Sequence, residues 1–174
     1  TQFLGYPIEL VEAGKLQRLF ATVFAIMAFA GGLFGLRQAR WTEVSAGYAY
    51  AAGAVGVSFA GDLITMFMFW EFMAIFSTVV VWCGGTDAAR RAGVRYALMH
   101  LVGGVVLKIG IEGIMVHTGS IDIRPLDLDT VDAWIVLAGV LVNAAAPPLS
   151  AWLSDAYPEA SPFGAEFLSA FTTQ

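Results

Sequence analysis

NAAAPPLSAWLSDAYPEASPF, residues 143–163, follows an apolar run that reads as a membrane-spanning helix and then interrupts it. Pro147 and Pro148 have no N–H to give, so the carbonyls one turn earlier, around Asn143 and Ala144, lose their helical donors. Backbone opened at membrane depth persists only where it is buried in protein or lines a wet cavity. Discontinuous helices of transporters use such breaks to bring polar ends to an ion path near the midplane. Asn143 then adds an uncharged donor and acceptor at the opening. The alternative is a proline kink that shapes packing alone.

The rest of the chain supplies the membrane context. Of 174 residues, 58% are hydrophobic and 13% charged, with a mean hydropathy of +0.72, more apolar surface than a water-soluble domain of this length can hide. Net charge is −5 and no Lys/Arg cluster interleaves with aromatics, which excludes nucleic acid as a partner. The single cysteine, Cys83, excludes an internal disulfide, and no Cys/His spacing offers a metal shell. Cys83 reads as a small buried apolar residue. The chain opens on Thr1 without the basic start of a secretory signal, and reads as a piece of a longer protein.

Roughly 20 apolar residues cross the hydrocarbon core as a helix. Five such runs are expected, at residues 16–36, 44–60, 63–84, 96–116 and 131–153, with the start of a sixth at 161–174. These runs lack the alternation of barrel strands, so the fold class is all-α: a polytopic helical bundle in one transmembrane domain covering residues 1–174, with a proline-broken helix. Arg37 and Arg40 follow the first span and Arg90, Arg91 and Arg95 precede the fourth, which places those loops in the cytoplasm. Asp122, Asp127, Asp129 and Asp132 crowd the opposite side. Lys15, Arg18 and Arg124 count against this orientation, three against five. Gly31 and Gly35, four apart, suit close helix packing.

Ionisable residues inside spans are costly enough to be functional candidates. Glu71 lies in the third span between Trp70 and Phe72; Lys108 and Glu112 lie in the fourth. Two readings stand for Lys108. It is four residues from Glu112, so the two can neutralise each other on one helix face. Alternatively, Glu71 and Lys108 pair across helices as a switchable acid–base couple, an attraction of roughly 4 kcal/mol at an effective dielectric near 20. His100, two turns before Lys108, is either a proton relay towards the cytoplasmic side or a packing histidine near the helix end. Asp62 reads as a helix N-cap.

NAAAPPLSAWLSDAYPEASPFGAEFLSAFTTQ (143–174) resembles the signature of proton-translocating antiporter-like subunits, shared by respiratory complex I and the multisubunit Mrp-type Na+/H+ antiporters, and is closest to the D-subunit branch. FAGDLITMFMFWEFMAIFSTVVVW (59–82) is similar to the helix that carries the family's functional glutamate, here Glu71. FLGYPIELV near the start and RRAGVRYALMHLVGG (90–104) fit the same branch. The resemblance implies a subunit of about fourteen helices, of which this chain holds the third to the start of the eighth, with a broken seventh helix inside an inverted repeat.

The resemblance further implies a multi-pass protein of the cell inner (plasma) membrane. Its partners would be other membrane subunits, the lipid bilayer, protons and, as one candidate cation, Na+. It also shows where this chain departs. The family usually carries lysines at the positions of Asn143 and Gln174, and both are neutral here; Lys108 and Glu166 stand where the family is apolar or small. Either the charge has migrated to Lys108 and the relay persists, or the subunit no longer pumps.

The expected proton path is therefore Glu71, Lys108, His100 and Asn143, with Glu112, Asp155, Glu166 and Gln174 in support. No redox cofactor or metal motif is present. The expected function is that of a cation/proton antiporter subunit; its rivals are a pumping subunit of a complex I-like oxidoreductase or membrane hydrogenase, and a non-transporting scaffold.

Overall fold

The computed structural model describes residues 2, 3 and 5–171. Its described helices are α1 (Lys15–Gly35), α2 (Trp41–Phe59), α3 (Leu63–Trp82), α4 (Asp87–Thr118), α5 (Val131–Asn143), α6 (Ala151–Ala156) and α7 (Pro162–Phe171), with a 3-10 turn at Tyr157–Glu159. Two-residue strands, β1 (Gln2–Phe3) and β2 (Tyr6–Pro7), pair before α1. The architecture is an all-helical membrane bundle.

Helix boundaries follow local chemistry. The Asp62 carboxylate caps α3, accepting from Thr65 N and from the Thr65 hydroxyl, each at 2.8 Å, and its second role is to hold Glu9 N at 2.9 Å. Gly119, at φ 66°, ends α4 in the left-handed conformation that costs glycine nothing. Leu63 N donates to Ile121 O at 2.8 Å, which lays the acidic loop after α4 against the α2–α3 corner.

The fourth span differs from its expected bounds. Residues 87–95 are not a loop but the opening turns of α4, a helix of 32 residues. Thr86 caps it by accepting from Ala89 N at 2.9 Å, and Asp87 in the first turn favours the positive helix end. Among the described residues three helices, α1, α3 and α4, are long and apolar enough to cross a membrane; α5 is apolar but only 13 residues long. α2 carries Thr42, Glu43, Ser45 and Ser58, which lower its hydropathy. The expected run 131–153 is divided into α5 and α6 by residues 144–150.

Lipid tails are as apolar as leucine, so helices here associate through close packing rather than release of water. Small residues make that possible. A Cβ on Gly139 of α5 would lie 2.6 Å from Leu107 N, and one on Gly110 of α4 would lie 2.6 Å from Val136 N, so the two helices meet backbone to backbone. Gly31 and Gly35 of α1 receive the Phe167 and Phe163 rings of α7. Tyr50, Val80, Val81, Tyr96, Phe163, Phe167 and Leu168 fill the resulting core. Outward residues such as Ile26, Phe29, Met68, Ile75, Leu98 and Leu101 form an apolar belt.

Candidate functional site at the helix break

Two adjacent glycines on α4 are the floor of the site. A side chain on Gly103 would meet the Asn143 amide, at 2.6 Å from Oδ1, and a side chain on Gly104 would strike Oε1 of Glu71. The missing Cβ atoms thus admit a carboxylate from α3 on one side and an amide from the end of α5 on the other. His100 lies one turn earlier on α4 and is buried, 6% exposed, as is Asn143 at 4%. The imidazole packs tilted against Tyr96 at 4.3 Å and edge-on to Trp152 at 4.8 Å. His100 and Asn143 face one another within polar range, without the geometry of a regular hydrogen bond.

Among the described residues, Glu71 Oε1, His100 Nε2 and both polar atoms of the Asn143 amide are buried without a hydrogen-bond partner. Each such group costs about 1–3 kcal/mol if nothing satisfies it, so the arrangement calls for a polar guest. A cavity of about 220 Å³ adjoins it, lined by the polar groups of Tyr50, Ser58, Ser77, His100 and Asn143 and by the rings of Phe20, Phe24 and Phe171. That volume holds several waters, and its polar wall offers them partners.

The break in the helix gives Asn143 this position. α5 ends on Asn143, Ala145 turns back at φ 53°, and Pro147 and Pro148 supply no donor to the carbonyls of Asn143 and Ala144. Trp152 of α6 spans the gap by donating Nε1–H to Val142 O at 3.2 Å. The break is therefore held open by an aromatic strut.

The remaining expected residues fall elsewhere. Lys108 does not pair with Glu71: it forms an ion pair with Glu112, both side chains more than half exposed on the outer flank of α4. The cause is rotational phase, since neighbouring Leu107 is fully buried against Leu63, Ile111 and Val136 and turns the next position outward. His100 is not near a helix end either; the opening turns of α4 place it well inside the helix. Asp155 binds Arg95 in a two-pronged pair at 2.6 and 2.7 Å, bracing α6 to α4, and these bonds hold its carboxyl below the usual carboxylate range. Glu166 is half-buried on α7. Gln174 lies outside the described residues.

One buried carboxylate was missed by sequence reasoning. Glu43 of α2, 4% exposed, accepts a hydrogen bond from the Ser161 hydroxyl, which also receives Gly164 N at 2.9 Å and so caps α7. No local signal marks it, because Ser161 is 118 residues away. The Gly103–Gly104 pair, set in the apolar run Leu101, Val102, Val105 and Val106, carries no sequence signal beyond its two adjacent small residues.

A bundle of apolar helices with a discontinuous helix and buried polar groups at the discontinuity defines a polytopic membrane protein. Residues 60–174 match the NADH:quinone oxidoreductase/Mrp antiporter transmembrane family, and the chain belongs to that family. It is 30% identical over 117 residues to the Na(+)/H(+) antiporter D-type subunit of Alkalihalophilus pseudofirmus, covering 62% of this chain and 24% of that protein.

Two solved structures share the fold. A chain of the Mrp complex from Dietzia sp. superposes with a TM-score of 0.83 at 24% identity, covering 94% of this chain and 33% of that one. A chain of the membrane-bound sulfane sulfur reductase, an archaeal respiratory membrane complex, superposes with a TM-score of 0.78 at 24% identity, covering 94% and 36%. The chain spans about a quarter of the length of the curated relative and about a third of each solved chain.

Proposed function

We propose that this chain is part of a membrane subunit of a multisubunit monovalent cation/proton antiporter in the plasma membrane, and that it carries a proton path through Glu71, His100 and Asn143. The observation that supports this is the convergence of Glu71 and Asn143 on the Gly103–Gly104 floor, with buried polar atoms that lack partners beside a cavity at the helix break. A carboxylate at the position of Glu71 needs a proton, a cation or water for company. Imidazole can take a proton on one nitrogen and release it from the other, which suits His100 to pass charge along the cavity wall. Asn143 offers both a donor and an acceptor and orders water without holding charge itself. Lys108, already paired with Glu112, stands outside this path.

The test is Glu71→Gln in the full-length subunit within its complex, assayed for cation/proton exchange in everted vesicles. Exchange is expected to fall at least tenfold, about 1.4 kcal/mol or more on the transport barrier. Unchanged exchange would support a scaffold role instead. A second reading, a proton-pumping subunit of a complex I-like assembly, is supported by the family itself, which spans NADH:quinone oxidoreductases as well as Mrp antiporters. Co-purification with iron–sulfur subunits would select it.

A further inference from the structure

One turn beyond His100, α4 carries a glycine on either side of it. At about 100° per residue, Gly103 lies roughly 60° to one side of His100 and Gly104 roughly 40° to the other. Helical side chains lean towards the helix N-terminus and cover the turn before their own Cα, so side chains at 103 and 104 would lie along both flanks of His100. Their absence bares those flanks, and two other helices fill them. Glu71 of α3 lays its carboxylate on Gly104, where a Cβ would come 3.0 Å from Cδ and 3.3 Å from Oε2 and would collide with Oε1; the Asn143 amide takes the Gly103 side. Glu71 Oε1 and His100 Nε2 are each buried without a hydrogen-bond partner. The carboxylate thus occupies the place of a side chain four positions on from His100, and such positions are about 5–6 Å apart between Cβ atoms, a step that one water spans.

We infer that Gly104 is a positioning residue of the proton path: its missing side chain is a notch that takes a glutamate and seats the Glu71 carboxylate on the flank of His100. A methyl group in that notch leaves the carboxylate no place to lie, and the flexible Glu71 side chain gives way rather than the α4 backbone. The gap to His100 then widens beyond a single water. Aspartate is shorter by one carbon–carbon bond, about 1.5 Å, so it falls short of the notch and is indifferent to its filling. Gly104 and the length of the side chain at position 71 are therefore matched to each other, whereas Gly103 is matched to Asn143. This rests on the reading of Glu71, His100 and Asn143 as a proton path, and adds which residue sets the carboxylate in place.

The experiment is a double-substitution cycle in the full-length subunit within its complex, read as cation/proton exchange in everted vesicles and as thermal midpoint in detergent. Gly104→Ala is expected to lower exchange about tenfold or more in the parent, but less than about threefold where Glu71→Asp is already present. Glu71→Asp is also expected to restore at least half of the midpoint that Gly104→Ala loses. Gly103→Ala is the control, and its cost is expected to be as large with Glu71→Asp as without it. Should Gly104→Ala not be recovered alone, recovery of folded subunit on adding Glu71→Asp is the same test, and where Glu71→Asp alone abolishes exchange the midpoints decide. An alanine cost at position 104 that is equal in both backgrounds overturns the inference, as does parent-level exchange in Gly104→Ala or equal relief of Gly103→Ala. Full exchange in Glu71→Gln would instead remove the transport reading, and the match between Gly104 and Glu71 would then stand or fall on the midpoints.

Discussion

Asn143 at the end of α5 rests directly on Gly103 of α4, so closely that a Cβ there would lie 2.6 Å from Oδ1 and 3.0 Å from both Cγ and Nδ2. All three short contacts fall on one small amide, which has little room to retreat because Asn143 is 4% exposed. Gly103→Ala is therefore expected to destabilise by about 1–3 kcal/mol, the usual cost of overpacking a filled interior. A thermal midpoint in detergent measures it, and exchange activity should fall with it as the amide is displaced from the cavity wall.

His100→Gln separates packing from proton exchange. Glutamine fills much of the same space and can hydrogen-bond to Asn143, but it has no titratable nitrogen. Exchange in everted vesicles is expected to fall at least tenfold while the thermal midpoint stays within about 1 kcal/mol of the parent. Full activity in this variant would remove His100 from the path.

The Arg95–Asp155 brace carries a pH signature. Because Arg95 holds the Asp155 carboxyl below its ordinary value, the stabilisation is complete above the unfolded carboxylate range near pH 4 and is lost as pH falls through the lower folded value. Both side chains are partly exposed, 53% and 37%, so the contribution is about 1 kcal/mol or less. Asp155→Asn should lower the thermal midpoint slightly at pH 7 and flatten its decline on acidification. Identical acid-side slopes for the two proteins would contradict this assignment.

Gly139→Val tests the backbone contact between α4 and α5. The added side chain would meet Leu107 N at 2.6 Å and Leu107 Cα at 2.7 Å, backbone atoms that cannot swing aside. Loss of more than about 4 kcal/mol is expected, read as failure to recover folded protein by size exclusion. Gly119→Ala makes a useful contrast: it has open space but φ 66°, so only about 1 kcal/mol of backbone strain applies.

Several features of this protein are written locally in the chain. Hydropathy and length mark α1, α3 and α4, Pro147 and Pro148 mark the break, and Asp62 marks a helix start, because each depends on neighbours within a few residues. That Asn143 would be buried and Glu71 half-buried follows from their apolar flanks. Which groups they would meet does not. Lys108 is one turn from Gly104, on whose backbone Glu71 rests, and the spacing alone allowed it to turn towards that carboxylate.

The rotation of α4 about its own axis settled that question, and rotation is set by what packs on every side of the helix: the glycine contacts with α5 and the burial of Leu107 send Lys108 outward to Glu112. Glu43 meeting Ser161 and Asn143 meeting Gly103 are decisions of the same kind. Local propensity acts over one or two turns, whereas helix phase is a collective result of close packing, so the helices and their break could be read from residues in order while the site could be read only from the assembled bundle.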